Sequence, residues 1–249
     1  MSIENFTALA GRIRQCAAEI YPEVTALRRD IHLHPELSNE EVRTTALITE
    51  YLLGLGISPE PAFLETGVVA LLKGGRSSSG GHCIALRADI DALPLNEENL
   101  HDFCSLEAGK MHACGHDMHT AMLLGAAKIL AGMKDELQGD VLLIFQPGEE
   151  KTPGGAKPLL EAGLFKRFNP SVILGQHCFP NVATGKVALC KGSFMAATRK
   201  PNVQFITVGS FEYNSDYMIV GQHIEFLLTT SDSCRCLVPN DVPIKLTCL

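Results

Sequence analysis

Met111-His112-Ala113-Cys114-Gly115-His116-Asp117-Met118-His119 is the stretch on which the reading of this chain turns. It packs three histidines, a cysteine and an aspartate into nine residues. Ala121, Met122, Leu124, Gly125, Ala126, Ile129 and Leu130 then follow at helical spacing, so the cluster is expected at a helix N-terminus. Thiolate and imidazole are ligands for borderline transition metals, and a Cys-x-His pair across a glycine turn can aim two donors at one point. A single helix histidine is ordinarily a hydrogen-bonded residue, and a single buried cysteine ordinarily acts as a small apolar side chain. It is the density of the cluster that points to a metal. Two donors exhaust what one short turn can offer, so Cys114 and His116 are the candidates, His112 and His119 are bystanders, and the remaining ligands must come from elsewhere in the chain.

Working outward, the flanking sequence alternates apolar strands with helical stretches, the pattern of an α/β fold with a mostly parallel, mixed sheet flanked by helices. Cys83–Arg87 runs into Asp89 and Asp91, Val141–Phe145 into Gln146-Pro147-Gly148-Glu149-Glu150, and Val172–Gly175 into Gln176-His177. In open α/β sheets the ligand site lies outside the carboxyl ends of the strands. Three strand ends can therefore bring carboxylates and an imidazole to face Cys114 and His116.

Cys114, His116, Glu150 and His177 can together hold one or two divalent ions. Glu149 is left free beside them, because adjacent residues on a turn point in different directions. That division suits hydrolysis: a metal lowers the pKa of water towards roughly 7, and an adjacent carboxylate takes its proton and passes it to the departing amine. Two ions would stand roughly 3.5 to 4 Å apart. Asp89 or Asp91 would fix a ligand from behind, and Asp91 is the preferred one. Each piece also has an ordinary reading: paired glutamates as a solvated turn, Asp-x-Asp as the end of a strand, His177 as a core histidine.

Composition narrows the classes. The 249 residues, 46% of them hydrophobic, suffice for a real core. A net charge of -7 without clustered Lys and Arg argues against nucleic acid as a partner. The N-terminus lacks a basic region followed by an apolar one, and no apolar run approaches the roughly 18 residues of a membrane span, so the expectation is an unexported protein with no membrane partner. Nine cysteines, odd in number and irregularly spaced, do not form a disulfide framework and fit a reducing cytoplasm.

Upstream, residues 4–30 read as two surface helices broken at Pro22, His32 to Leu37 as a turn, and Glu40 to Leu55 as a second amphipathic segment ended by Gly54 and Gly56. Val68 to Leu72 reads as a strand, and Gly74 to Gly81 as the tip of a hairpin with no phosphate-loop spacing.

Four motifs in order, Arg87-Ala-Asp-Ile-Asp-Ala-Leu-Pro94, Met111-His-Ala-Cys-Gly-His-Asp117, Phe145-Gln-Pro-Gly-Glu-Glu150 and Gly175-Gln-His-Cys-Phe-Pro180, resemble the amidohydrolases that include hippurate hydrolase, the N-acyl-amino-acid amidohydrolases and the plant indole-acetyl-amino-acid hydrolases, relatives of aminoacylase and carboxypeptidase G. The resemblance covers residues 10–198. It implies a zinc-exopeptidase-like catalytic domain holding manganese or zinc, commonly two ions. Cys114, His116, Glu150 and His177 fall on ligand positions, Glu149 on the general base and Asp91 on the supporting aspartate. The implied substrates are N-acyl amino acids or short peptides.

The resemblance also implies an inserted lid domain, opened by a Gly-Gly-His motif, and a last histidine ligand, neither of which is visible in residues 199–249. The expected division is thus a catalytic portion at 1–198 and a divergent tail at 199–249, with an apolar sheet edge left open. In the tail Val203 to Val208 and Tyr217 to Leu228 are β-prone, and His223 sits in an ordinary strand-like run. Two alternatives follow: an impaired or inactive family member serving as a metal-binding or interaction module, and a cysteine hydrolase using Cys114 with His116. The second leaves the paired acids unexplained and puts nucleophile and base on one tight turn.

Overall fold

The computed structural model describes residues 3–78, 81–180, 188, 203–206 and 225–229. Helices α1 (Ile3–Leu33) and α2 (Val42–Gly54) precede strands β1 (Val68–Leu72) and β2 (Cys83–Asp89). Helix α3 (His116–Gly132), strand β3 (Asp140–Gln146), the short helices α4 (Ala156–Glu161) and α5 (Leu164–Phe168) and strand β4 (Val172–Gly175) follow, and β5 (Val203–Ile206) and β6 (Glu225–Thr229) complete the described elements.

The strands form one mixed sheet in the order β1-β3-β2-β4-β6-β5. Its centre, β3-β2-β4, is parallel, and β1 lies antiparallel on β3. Side chains alternate across the sheet with the period of two that a strand imposes. Val68, Ala70, Leu72, Val141, Leu143 and Phe145 meet Ile48 and Leu52 of α2 and Leu123, Leu124 and Ala127 of α3. Val69, Ala85, Leu142 and Ile144 face the other way and meet Leu159 and Leu164 of α4 and α5. β1, β2 and β3 thus carry apolar residues on both faces, which is why their sequences read as continuous runs rather than alternations.

Three expectations change. Helix α1 runs through Pro22 without a break. The proline removes one backbone donor, but Val24, Arg28 and Ile31 beyond it are buried, and Thr25 Oγ1 donates to the Tyr21 carbonyl at 2.8 Å. Packing of α1 on α3 outweighs the local preference. Gly125 marks the close crossing, since a Cβ there would stand 2.9 Å from Val24 Cγ2. The segment Gly74–Gly81 is not a hairpin tip, because β3 lies between β1 and β2; a connection that must pass an intervening strand is indistinguishable in sequence from a hairpin loop. Finally, the outer edge of β4 is covered. Residues of β6 pair with it antiparallel, Ile173 opposite Leu227, and β5 pairs with β6 in turn. His223 and residues 191–198 lie outside the described residues.

Because β2, β3 and β4 are parallel, their carboxyl ends lie along one edge of the sheet. The turn after β3 is built tightly: a Cβ on Gly155 would stand 1.6 Å from the Pro147 carbonyl oxygen. Gly155→Ala is therefore expected to destabilise the chain by about 1–3 kcal/mol, read as a lowered Tm by calorimetry.

Candidate metal centre

Gly115 sets the geometry of the Cys-x-His pair. Its φ of 82° is left-handed, where a side chain is strained, and it stands immediately before the first helical residue of α3, His116. The turn aims the Cys114 and His116 side chains toward the carboxyl ends of β2, β3 and β4. His116, fully buried, has Nδ1 3.2 Å from Asp91 Oδ1, so Nδ1–H donates to the carboxylate and Nε2 turns the other way. That Nε2 has no hydrogen-bond partner among the described residues, and neither does Glu150 Oε1, 3.7 Å away.

Three groups of donor atoms overlap at His116: Cys114, His116 and His177; His116, Glu149 and Glu150; and Asp89, His116 and His119. All five side chains singled out in the sequence for metal and base meet at this point. His177 donates Nδ1–H to the Cys178 carbonyl at 2.6 Å, which leaves Nε2 facing Cys114 Sγ at 3.3 Å.

Asp91 organises the site from behind. Besides His116 it accepts the Ser38 hydroxyl at 2.5 Å and the Glu150 backbone N–H at 2.8 Å, so one buried carboxylate fixes a histidine ring and the backbone of a glutamate together. The turn bearing Glu149 is held separately. Buried Glu41 accepts the Gly148 backbone N–H and the Thr66 hydroxyl, both at 2.7 Å. Ser38 and Glu41 carry no motif signature; nothing in their own sequence neighbourhood announced these roles.

Charge is concentrated accordingly. Burial opposes ionisation of Asp91 and Asp89, yet the neighbouring histidines and donors hold both carboxyls below the ordinary range, Asp89 with the help of Arg87. Burial likewise disfavours an imidazolium at His116 and His177, but Asp89, Asp91 and Cys114 prevail; His116 is raised, and His177 is raised to about 9. Cys114 is lowered, its two imidazole neighbours overcoming burial. Glu149 moves the other way: loss of hydration first, and Asp89 second, hold its carboxyl above the ordinary range although its outer side is exposed.

The bystander histidines differ in kind. His119 donates Nδ1–H to Asp89 Oδ1 at 2.6 Å and accepts the Cys178 N–H on Nε2 at 2.9 Å, so both ring nitrogens are engaged by protein. Burial lowers it to about 4. His112 is buried with neither ring nitrogen hydrogen-bonded among the described residues, and is likewise lowered to about 4 by burial. Asp117, in the same motif, faces away from the centre. It accepts His32 Nδ1–H at 2.7 Å and pairs with Arg28 at 2.7 Å. His32 and His34 do not converge, since His34 Nδ1 turns to the Asp30 carbonyl.

The donor set fits a divalent transition ion. One thiolate, two imidazoles and a carboxylate surround a point where two buried polar atoms have no hydrogen-bond partner among the described residues, and the histidine ligands are oriented through their other nitrogens.

Known proteins share this sequence and fold. Residues 85–239 match the model of peptidase family M20/M25/M40, extending past Thr198 into the segment that supplies β5 and β6. The chain is 39% identical over 197 residues to an N-acyl-L-amino acid amidohydrolase of Geobacillus stearothermophilus, covering 79% of this chain and 52% of that protein. It is 43% identical over 180 residues to IAA-amino acid hydrolase ILR1-like 4 of Arabidopsis thaliana, covering 72% of this chain and 39% of that protein. In structure it resembles the YXEP protein of Bacillus subtilis, a dinuclear metal-binding peptidase of the M20 family, with a TM-score of 0.67, 32% identity and coverage of 86% of this chain and 66% of that one. The chain spans about half the length of the curated relatives it matches. On the sequence match and on the fold together, it belongs to peptidase family M20/M25/M40.

Proposed function

We propose that the site hydrolyses the amide bond of N-acyl amino acids or short peptides, with Cys114, His116, Glu150 and His177 holding two manganese or zinc ions and Glu149 as general base. The observation that carries this reading is the pair of buried atoms, His116 Nε2 and Glu150 Oε1, that have no hydrogen-bond partner among the described residues, with the Glu149 carboxylate beside them. The chemistry such ions supply when bound is polarisation of the amide carbonyl and a lower pKa for water. Glu149 takes a proton from the attacking water and returns it to the amine nitrogen as the C–N bond breaks. His116 and His177, each anchored through Nδ1, present Nε2 without loss of orientation. Asp91 fixes His116 and the Glu150 backbone and is a positioning residue.

The names of the relatives, amidohydrolase and carboxypeptidase among them, support the substrate class. The described cysteines, Cys16, Cys83, Cys104, Cys114 and Cys178, are free thiols, which supports a reducing, cytoplasmic setting. No described helix is long and apolar enough to cross a membrane.

Elemental analysis of the purified chain, with hydrolysis of N-acetyl and N-benzoyl amino acids assayed on the same sample, tests the reading. Two ions per chain with chelator-sensitive turnover supports it. Tight metal binding with no turnover would favour a metal-binding module instead, and turnover abolished by thiol alkylation but indifferent to chelators would favour Cys114 as nucleophile. Asp91→Ala is expected to weaken metal affinity by about 10- to 100-fold, measured by competition with a chromogenic chelator.

A further inference from the structure

A second group of convergent donors lies at the end of α1. His32 Nε2 and His101 Nε2 each stand 3.1 Å from Glu97 Oε1. The three side chains are 3%, 10% and 3% exposed for His32, His101 and Glu97. None of the three belongs to the donor groups around Cys114 and His116.

We propose that His32, Glu97 and His101 form a second divalent-cation site of the zinc class. Donor atoms around a tetrahedral ion with bonds of 2.0 to 2.1 Å stand roughly 3.3 Å apart, close to the spacing seen here. Both rings are oriented through their far nitrogens: His32 Nδ1–H donates to Asp117 at 2.7 Å, and His101 Nδ1 lies 3.4 Å from Cys104 Sγ. Glu97 is oriented too, its second oxygen accepting the Ser105 backbone N–H at 2.6 Å. Phe103 stacks on the His101 ring at 3.8 Å.

Without an ion, both imidazole contacts to Glu97 Oε1 are hydrogen bonds only if each Nε2 carries a proton. That oxygen also takes the Asn99 side-chain N–H at 3.0 Å, and the His32 ring already lies 3.4 Å from the Arg28 guanidinium. A divalent cation on both Nε2 atoms displaces the His32 Nε2 proton to solvent, while neutral His101 keeps its single proton on Nδ1, facing Cys104 Sγ. Two nitrogens among three donors select zinc, cobalt or nickel over magnesium or calcium. Three protein ligands leave a position for water. The bound ion ties the irregular segment Leu95–Lys110 to the last turn of α1, and that segment leads into Met111 and the Cys114 turn.

Cobalt titration of the metal-depleted full chain tests the site. A cobalt ion at Cys114 carries a thiolate charge-transfer band in the near ultraviolet, and one at His32/Glu97/His101 has none. His101→Gln and Glu97→Gln are each expected to lose one equivalent of cobalt, or to bind it at least tenfold more weakly, with the thiolate band kept at full strength as proof that the fold and the Cys114 centre persist. The same stoichiometry and affinity in wild type and His101→Gln would overturn the proposal. Anomalous diffraction at the zinc edge, on wild-type crystals grown with zinc, gives a reading that no variant can confound. A peak between the three side chains supports the site, and density at the Cys114 centre alone overturns it.

Discussion

Glu149→Gln is expected to lower kcat for N-acyl amino acids by about 100- to 10,000-fold while leaving the number of bound ions unchanged. The substitution keeps the shape and hydrogen-bonding reach of the side chain and removes its capacity to accept a proton. Glu149 and Glu150 are adjacent on one turn, yet the structure separates their environments. Glu150 is held through its backbone by Asp91 and has a buried oxygen with no hydrogen-bond partner among the described residues, whereas Glu149 is exposed on one side. Glu150→Gln should therefore lower metal content, and Glu149→Gln should lower turnover alone. Steady-state kinetics and elemental analysis on the two variants make the comparison. Equal turnover in wild type and Glu149→Gln would remove Glu149 from the mechanism and return attention to Cys114, whose thiol is lowered by the adjacent imidazoles.

The largest expected loss of stability is at Asp117. Its carboxylate is fully buried between Arg28 and His32, both nearly inaccessible to solvent, at 2.7 Å from each. Asp117→Ala leaves a guanidinium and an imidazolium buried without their shared counter-ion, and removing one partner from such a group costs about 3–5 kcal/mol. The cost depends on pH in a definite sense. Asp117 is held below the ordinary carboxylate range, chiefly by Arg28 and His32 against the penalty of burial. Its stabilisation is present above the unfolded pKa of about 3.9 and is lost as pH falls through the lower folded value. His32 is raised, burial opposing but Asp117 and Glu97 prevailing. Its contribution is complete below the unfolded pKa of about 6.5 and is lost as pH rises through the raised folded value. The advantage of wild type over Asp117→Ala should therefore be greatest between about pH 4 and 6.5 and narrow on the alkaline side. Denaturant unfolding of both proteins, depleted of metal, across that range measures it, and an advantage that grew above pH 7 would contradict the arrangement.

Much of the centre was legible because its residues carry chemistry that ordinary packing does not need. A cysteine and a histidine around a glycine, two acids after Pro-Gly and a histidine ending an apolar run stand out even without a partner in view, and the structure brings Cys114, His116, Glu149, Glu150 and His177 together. The residues that hold them did not stand out. Ser38 and Glu41 are ordinary polar residues just before α2, and their roles exist only because that segment packs against the turns after β2 and β3. The same limit explains Glu97 and His101, which lie in an irregular segment and acquire meaning only beside His32.

The chain sequence by itself determined the strands, the helix beginning at His116, and the metal-competent residues, because periodicity and donor chemistry are local properties of the chain. Tertiary structure alone decided the rest. The continuity of α1 through Pro22 depends on the surface of α3, and the insertion of β3 between β1 and β2 depends on strand partners far apart in sequence. The pairing of β6 with β4 and the burial of Asp117 between Arg28 and His32 are of the same kind. Each is a contact between residues distant along the chain, and its energy comes from shape and charge that meet only after folding.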